Sequence, residues 1–508
     1  MHSRTRKVKC DETKPECNRC SRFGTACRYS YAPPHETPVS RAQRLRNTAF
    51  APIKPRIPAL ITQEPSNSIP GDESERRYFQ LFHERLAYDI SGYFESPFWT
   101  RVIPQECHHE PAIRHAILAL SALCKASASK IETVDANNKH LDFALVQQSK
   151  AISSFRKSLS EGRPLRTQVR LALMASLLFG SFESFHGNSE TASQQISSGL
   201  NILGQLKKHK VNRTNQNITF VDPELGLSLS RLQLQMESFL AMNPMTDHLP
   251  TGADDVEFIE DFPNRFAALS EALPFAVRIS INTLRHMRKA SRCGNIKSFQ
   301  ETLERERDSV STSLDQWNKA FRPILLKIQA SQNTASRAYL SVCFLQTTLV
   351  AFETILATTS AKKEIIYDRF TEQFRRIVSS CRHALEIDRE IRTLDSIRAQ
   401  FSIGWIMMLY YVATRCRDSL IRRDAIAILR EFPSKNGIWD SLQAAKAAEW
   451  IANIEEKGSA GIIPIPEAAR VRMNSLKAIS HENGIDVECI QGPSDGISKL
   501  RMANLVLS

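Results

Sequence analysis

Apolar side chains recur along most of this chain at the three- and four-residue spacing of an α-helix. One such stripe consists of Ile113, Ile117, Leu120 and Cys124, and it follows Pro111, which suits the first turn of a helix. The alternation of apolar and polar residues that predicts strands is rare, and clusters of turn residues are sparse. The pattern therefore predicts a mostly all-α protein.

Several longer apolar stretches predict helices that are buried inside the molecule. They are Leu171–Phe179, Ile324–Gln329, Ala338–Ala357, Phe370–Ile387 and Phe401–Arg415. The charge-free stretch Phe401–Thr414 is too short to cross a bilayer. The longer apolar run from Tyr339 to Ala361 is interrupted by Glu353. We therefore expect no membrane contact. The sequence contains no internal repeat of fixed period, so a solenoid is not predicted.

The prolines divide the chain into regions. Eight of the 23 prolines lie within 32–75, which favours an extended, disordered linker over a packed unit. The expected organisation is a small N-terminal module at 1–31, a Pro-rich flexible linker at 32–75, a large all-helical domain at 76–475, and a weakly structured tail at 476–508.

Charge is concentrated at the N-terminal end. The 508 residues hold 67 Lys and Arg against 54 Asp and Glu, but the first 60 residues alone hold 13 against 4. A basic N-terminal segment followed by a nearly neutral chain is typical of a protein that binds a polyanion through its N-terminal segment. An acidic membrane or nuclear import would also suit such a segment, so charge alone does not decide.

Four of the 11 cysteines fall within 18 residues, as Cys10-x6-Cys17-x2-Cys20-x6-Cys27. The C-x2-C spacing places two thiolates on one side of a short turn, where they can bind one tetrahedral zinc. The other cysteines are scattered, unlike those of a secreted disulfide scaffold, so we expect a reduced, intracellular protein. The alternative is a set of free thiols in a disordered arm.

The residues around these cysteines are also specific. Arg4-Thr5-Arg6-Lys7-Val8-Lys9 precedes Cys10, Lys14-Pro15 follows it, and Cys27-Arg28-Tyr29 closes the unit. This run resembles the fungal binuclear zinc-cluster DNA-binding domain, in which six cysteines bind two zinc ions. The resemblance implies that Cys10, Cys17, Cys20 and Cys27 are the last four zinc ligands.

The sequence departs from the family pattern at its first two cysteines. Counting back, the second would fall at Ser3 and the first would precede Met1. Either the start is placed too late, at an internal methionine, or the regulator has lost autonomous DNA binding. The undecayed remainder of the cluster favours the first explanation. As written, the chain would hold one zinc or an incomplete pair.

The resemblance also implies which side chains meet DNA. A short helix after the second family cysteine enters the major groove, where guanine offers two acceptors to Lys and Arg. By position, Arg6 and Lys7 would contact the bases of a CGG-like triplet in double-stranded DNA. The expected phosphate contacts are Arg4, Lys9, Arg19 and Arg22.

The helical body resembles the regulatory region of the same family over roughly 75–470. The matching segments are Phe82–Arg85, Ser91–Phe94, Phe98-Trp99, Glu110–Ala116, Trp317 with Phe321, Ala413–Arg417 and Gly437–Ser441. The resemblance implies a nuclear transcription regulator of a metabolic gene set, secondary metabolism included, that acts on the transcription machinery. Whether the chain forms a homodimer stays open.

Catalytic signatures are missing from the sequence. It contains no phosphate-binding Gly-rich loop, no H-E-x-x-H and no G-x-S-x-G, so we expect no enzyme. Cys107–Glu110 with His115 resembles a metal site but is better explained as a polar helix start. A basic group, Arg415, Arg417, Arg422 and Arg423, is expected to be a solvated helix face rather than a surface for acidic partners. The rival functions are a helical regulator without autonomous DNA binding and a helical enzyme.

Overall fold

A computed structural model of the chain describes Asn18, Arg22, Val256, Ile259 and most of the residues from 69 onward. The continuous described ranges are 69–128, 134–211, 222–244, 262–293, 296–331, 336–391, 404–479, 484–493 and 496–506. The mostly helical fold predicted from the apolar pattern is confirmed in these ranges.

The first half of the described body is built from helices. In chain order they are α1 Glu73–Leu81, a π-helical turn Phe82–Leu86, α2 Ala87–Ser91, a π-helical turn Phe98–Val102, α3 Ile103–His109, α4 Pro111–Ala128, α5 Val134–Ser160, α6 Leu165–His186, α7 Ser189–Val211 and α8 Pro223–Met242. The stripe Ile113, Ile117, Leu120 and Cys124 lies on α4 and is buried, as predicted.

The second half is also helical but includes short strands. Its elements are α9 Leu269–Cys293, α10 Lys297–Ala330, α11 Arg337–Thr358, a 3-10 helix Glu364–Phe370, α12 Thr371–Ile391, α13 Gly404–Arg415, α14 Ser419–Glu431, β1 Lys435–Asn436, β2 Trp439–Asp440, α15 Ser441–Gly458, a 3-10 turn Glu467–Ala469, β3 Val471–Ile479, β4 Gly484–Gln491 and β5 Lys499–Val506. Every residue of α13 is buried, in agreement with its predicted interior position.

Two apolar cores fill the body, and α8 contributes to both. Leu232 and Met236 pack in the core of the first half, while Leu234 and Phe239 pack in the core of the second. A helix that is buried on all sides needs neighbours on all sides. α8 therefore joins the two cores into one packed body.

Acidic side chains fix where several helices begin. Asp72, Asp222, Asp418 and Asp440 each precede a helix and accept a hydrogen bond from a backbone N–H of its first turn, at 2.8–3.1 Å. These N–H groups have no partner inside the helix, so the side chain satisfies them.

The segment Gly437–Ser441 makes a tight turn against α8. Gly437 has φ +56°, and a Cβ there would lie 2.3 Å from Oε1 of Gln235, so a larger residue would clash as well as strain the backbone. Trp439 is buried and donates its indole N–H to the Ser238 hydroxyl at 2.9 Å. The turn therefore packs directly against α8 and is hydrogen-bonded to it.

The C-terminal region corrects one expectation. Where a weakly structured tail was expected at 476–508, β3, β4 and β5 form an antiparallel sheet in the order β3-β4-β5. Ile485, Val487 and Cys489 alternate along β4 and are buried, which is the period of a strand with one covered face. This sheet begins at Val471, so the expected all-helical domain at 76–475 also ends in β structure.

One described helix, α11, is long and apolar enough to cross a membrane, and 72% of its most apolar window is buried inside the molecule. Leu345, Leu349 and Phe352 belong to the core of the second half. The burial matches the interior position predicted for this stretch.

The basic group on α13 and α14 was expected to be a solvated face, and the structure corrects this for three of its four members. The side chains of Arg415, Arg417 and Arg422 are 7%, 2% and 1% exposed. Arg423 alone is largely exposed and pairs with Glu456 at 2.5 Å. The acidic partners of the buried arginines lie elsewhere in the chain, so local sequence did not reveal them.

Two glutamates neutralise the buried arginines. Glu455, fully buried, accepts hydrogen bonds from Arg417 at 2.8 Å and from Arg422. Glu364 accepts from Arg415 at 3.0 Å through both oxygens and from Arg417 at 3.1 Å. We call these five residues the arginine–glutamate cluster. Buried charges of this kind are tolerated only when paired and hydrogen-bonded.

The arginine–glutamate cluster also holds the start of β3. The Val471 N–H donates to Glu455 Oε1 at 2.6 Å, while Arg417 donates to the Val471 carbonyl at 3.2 Å and Arg415 to the Arg472 carbonyl at 3.1 Å. These bonds satisfy backbone groups where the chain enters the sheet. The sheet is therefore attached to the helices through buried polar contacts.

A second set of contacts fixes the 3-10 helix Glu364–Phe370. The fully buried Arg470 forms a bidentate pair with Asp368 at 2.7 and 2.8 Å. The carboxylate of Glu467 accepts the N–H groups of Glu364 and Ile365 at 2.8 Å each. The segment that supplies one cluster glutamate is thus positioned from the C-terminal side.

We expect Glu455→Gln to lower the free energy of unfolding by about 3–5 kcal/mol, because two buried guanidinium groups lose their shared counter-charge. The matched control is Arg423→Gln, which breaks an exposed pair and should cost about 0–1 kcal/mol. Urea denaturation of both variants at neutral pH measures the difference. Equal losses would show that the buried cluster is not a special source of stability.

Acid should weaken the same cluster. Burial alone would raise the pKa of Glu455, but Arg417 and Arg422 beside it hold its pKa below the ordinary 4.5. The stability that ionised Glu455 contributes to the folded state is therefore complete above about pH 4.5. It is lost as the pH falls through the lower pKa of the folded state. Denaturation midpoints measured from pH 7 to pH 3 should fall less steeply in Glu455→Gln than in the parent chain. Parallel curves would contradict this.

Candidate functional site

The predicted zinc and DNA contacts lie almost wholly outside the described residues. This applies to Cys10, Cys17, Cys20 and Cys27 and to Arg4, Arg6, Lys7, Lys9 and Arg19. Arg22 is described: it is exposed, and its N–H donates to the Asn18 carbonyl at 3.2 Å. The zinc ligands and the DNA contacts therefore stay a prediction.

The metal-like segment Cys107–Glu110 with His115 lies where α3 ends and α4 begins. Its side chains have different partners: Glu110 pairs with Arg163, and Nδ1 of His115 is 2.7 Å from Oε1 of Gln147. Burial raises the pKa of the Cys107 thiol, so it is not a thiolate at neutral pH. Across the described residues, no group of His, Cys, Asp and Glu side chains is arranged to hold a metal ion.

A large cavity opens between the helices of the second half, and sequence reasoning did not find it. Its volume is about 820 Å³, which falls in the range of small-molecule sites. Its walls come from α8, α9, α10, α11, the segment 359–362, the 3-10 helix Glu364–Phe370, α13 and β3. Glu364 and Arg415 of the arginine–glutamate cluster form part of the wall, so the cluster also positions the cavity.

Two tyrosines lie beside the cluster on the cavity wall. Burial raises the pKa of both Tyr367 and Tyr411, so both hydroxyls keep their protons at physiological pH. The guanidinium carbon of Arg415 lies 5.5 Å from the centre of the Tyr367 ring, which is within cation–π range. This part of the wall therefore carries two protonated tyrosines next to the arginine–glutamate cluster.

The signal for this wall was present in part. Tyr411 and Arg415 are four residues apart on α13, so they share one helix face. The segment Ala413–Arg417 was singled out only for its family resemblance. The other wall residues come from distant segments, which one-dimensional spacing cannot bring together.

Comparison with known proteins confirms the resemblance drawn from the cysteine run. Residues 2–35 match the fungal Zn(2)-Cys(6) binuclear cluster domain. This match covers the four predicted zinc ligands and the predicted DNA contacts.

Two curated fungal proteins are similar to the chain. The transcription regulator lscL of Purpureocillium lilacinum is 27% identical over 219 residues, which are 41% of this chain and about half (49%) of that protein. The aspercryptin biosynthesis cluster-specific transcription regulator atnN of Emericella nidulans is 22% identical across 93% of this chain and 90% of its own length. No solved structure matches the chain.

We expect five described thiols to be unreactive in the folded chain: Cys107, Cys124, Cys381, Cys416 and Cys489. All are buried, and burial raises the pKa of Cys124 and Cys489 to about 12 and of Cys416 to about 11. Only thiolates react quickly. A colorimetric disulfide reagent at pH 8 should modify these five in urea but not in buffer, as located by peptide mass. Modification of Cys124 or Cys489 in buffer would contradict the structure.

Proposed function

We infer that this chain is a non-enzymatic transcription regulator of the fungal zinc-cluster kind, which works in the nucleus and recognises CGG-type triplets in double-stranded DNA. The observation that carries the proposal is the domain match at residues 2–35 together with the near full-length similarity to a named regulator. The strong excess of basic residues in the first 60 supports a DNA-binding end.

Zinc would fold the DNA-binding module. Cys10, Cys17, Cys20 and Cys27 are the proposed ligands, and four thiolates are enough for one tetrahedral ion. A second ion would need ligands beyond these four, because the family uses six cysteines for two ions. We therefore propose that each chain binds at least one zinc ion.

DNA recognition would divide into two kinds of contact. Arg6 and Lys7 are the proposed base contacts. Four other basic residues of the module are the proposed phosphate contacts: Arg4, Lys9, Arg19 and Arg22. The exposed position of Arg22 is compatible with that role.

The proposed targets are genes of a biosynthetic, secondary-metabolite kind, because one similar protein is named as a regulator specific to a biosynthesis cluster. The second candidate is a helical regulator without autonomous DNA binding that acts through protein partners. Ser3 stands where the family pattern has its second cysteine, which favours that alternative.

We expect Lys7→Ala to lower the preference for a CGG duplex over a scrambled duplex by about 1–3 kcal/mol, the usual value of one base contact. Arg19→Ala should weaken binding to both duplexes equally. It should also lower by about 1 the slope of the logarithm of affinity against the logarithm of salt concentration. Fluorescence anisotropy of labelled duplexes, titrated with the zinc-loaded full chain at several salt concentrations, measures both effects.

Lys54→Ala is the matched control, because it removes one positive charge from the predicted linker. A zinc chelator should abolish CGG preference in the parent chain, and metal analysis should show that Cys17→Ala loses zinc while Cys293→Ala retains it. Equal, zinc-independent binding to every sequence would favour the regulator without autonomous DNA binding.

A further inference from the structure

A smaller cavity of about 280 Å³ lies against α8 and shares no wall residue with the large one. One wall consists of Glu224, Leu227 and Arg231, whose spacing of three and then four residues places them on one face of α8. The other walls come from the segment 93–96 and from the first turns of α9 and α11. The volume is just below the ~300 Å³ at which small-molecule pockets usually begin, so only a small ligand fits.

Hydrogen bonds hold the segment 93–96 in place on the wall. The Ser341 hydroxyl, on α11, donates to the Tyr93 carbonyl at 2.7 Å, and the indole N–H of Trp405 donates to the Tyr93 hydroxyl at 2.8 Å. A ligand that enters a cavity with fixed walls loses less free energy on ordering them.

Arg231 is an interior guanidinium without an ion-pair partner among the described residues. It is 5% exposed, and its one hydrogen bond runs from Nη2 to the Ser91 carbonyl at 3.1 Å. Burial lowers the pKa of Arg231 to about 10, and Glu224 offsets only part of that effect. Burial also acts to lower the pKa of Arg417, but Glu455 beside it helps to raise that pKa above the ordinary value. Arg231 thus lacks the close counter-charge that a buried arginine needs.

Glu224 supplies the opposite charge on the same wall. Its carboxylate is half-buried and accepts the Ser96 hydroxyl at 3.1 Å, and it forms no ion pair with a described cation. Glu224 and Arg231 influence each other electrostatically without touching. Each charge is therefore left to meet a ligand in the cavity.

The rest of the wall is neutral overall and largely apolar. Glu95 and Arg337 are exposed and opposite in sign, so the wall carries two positive and two negative side chains. Leu227, Leu269 and Leu273 add aliphatic surface. Separate charges of both signs beside an apolar surface are complementary to a molecule that carries both charges, rather than to a simple anion.

We propose that this cavity binds an α-amino acid with an apolar side chain. Its carboxylate would contact Arg231, its ammonium group would contact Glu224, and its side chain would pack on Leu227, Leu269 and Leu273. A guanidinium offers two parallel N–H groups to a carboxylate, and a carboxylate accepts readily from an ammonium group. The inference is independent of DNA binding and would stand if the N-terminal module bound no DNA.

The test is isothermal titration calorimetry on the zinc-loaded full chain without DNA. The ligands are L-leucine, 4-methylpentanoate, which lacks the ammonium group, and 3-methylbutylamine, which lacks the carboxylate. L-leucine should bind about tenfold more tightly than either analogue, because each analogue loses one charge-assisted hydrogen bond. Glycine should also bind about tenfold more weakly than L-leucine, because it has no side chain to bury.

Variants locate the site. Glu224→Gln should weaken L-leucine about tenfold and leave 4-methylpentanoate unchanged, whereas Arg231→Gln should weaken both and leave 3-methylbutylamine unchanged. The matched controls are Glu190→Gln, an exposed glutamate in the first turn of α7, and Arg376→Gln, an exposed arginine on α12. Both controls should retain the affinity of the parent chain.

Melting temperatures separate lost binding from lost structure. Glu224→Gln keeps an oxygen that accepts the Ser96 hydroxyl, so it should melt close to the parent chain, and its loss of affinity cannot be assigned to unfolding. This variant decides the question even if Arg231→Gln melts lower.

Four results would contradict the proposal. Equal affinity for L-leucine and 4-methylpentanoate would remove the ammonium contact, and equal affinity for L-leucine and glycine would remove the apolar contact. Unchanged L-leucine affinity in Glu224→Gln and Arg231→Gln would place binding elsewhere. If L-leucine, L-valine, L-methionine and L-phenylalanine all fail to bind at millimolar concentration, the cavity is not an amino-acid site.

Discussion

The second half of the molecule depends on the neutralisation of one buried carboxylate. Glu455 has no access to water, and a lone ionised carboxylate in such a place would be unstable by several kcal/mol. Arg417 and Arg422 reach it from the junction of α13 and α14, and the Val471 N–H reaches it from the first residue of β3. Helices and sheet therefore meet where this charge has to be satisfied.

The shared helix α8 explains why the two cores form one body. Its residues alternate between the cores, and Trp439 anchors the β1-β2 turn to its side through Ser238. Residues of α8, α9 and α10 contribute to the wall of the large cavity.

Helical content was predictable because it is a local property. The stripe on α4 and the apolar run of α13 carry their period within one turn or two, and the structure places both inside. The sheet was missed because its clearest alternation, Ile485, Val487 and Cys489, is short and follows a long helical domain. The arginines of α13 and α14 were misplaced because Glu364 and Glu455 are distant in sequence. Zinc ligands could be proposed from the sequence because metal chemistry imposes close spacing, whereas a cavity assembled from eight segments leaves no such pattern.

The hydrogen bonds that Arg415 and Arg417 donate to the carbonyls of Arg472 and Val471 make the start of β3 part of the packed interior. Terminal strands often tolerate loss because little of the interior rests on them. Here a premature stop codon before Val471 would remove the N–H that Glu455 accepts and the carbonyls that two interior guanidinium groups contact. Such an allele should behave like a lesion in the middle of the protein, because it removes contacts of the arginine–glutamate cluster.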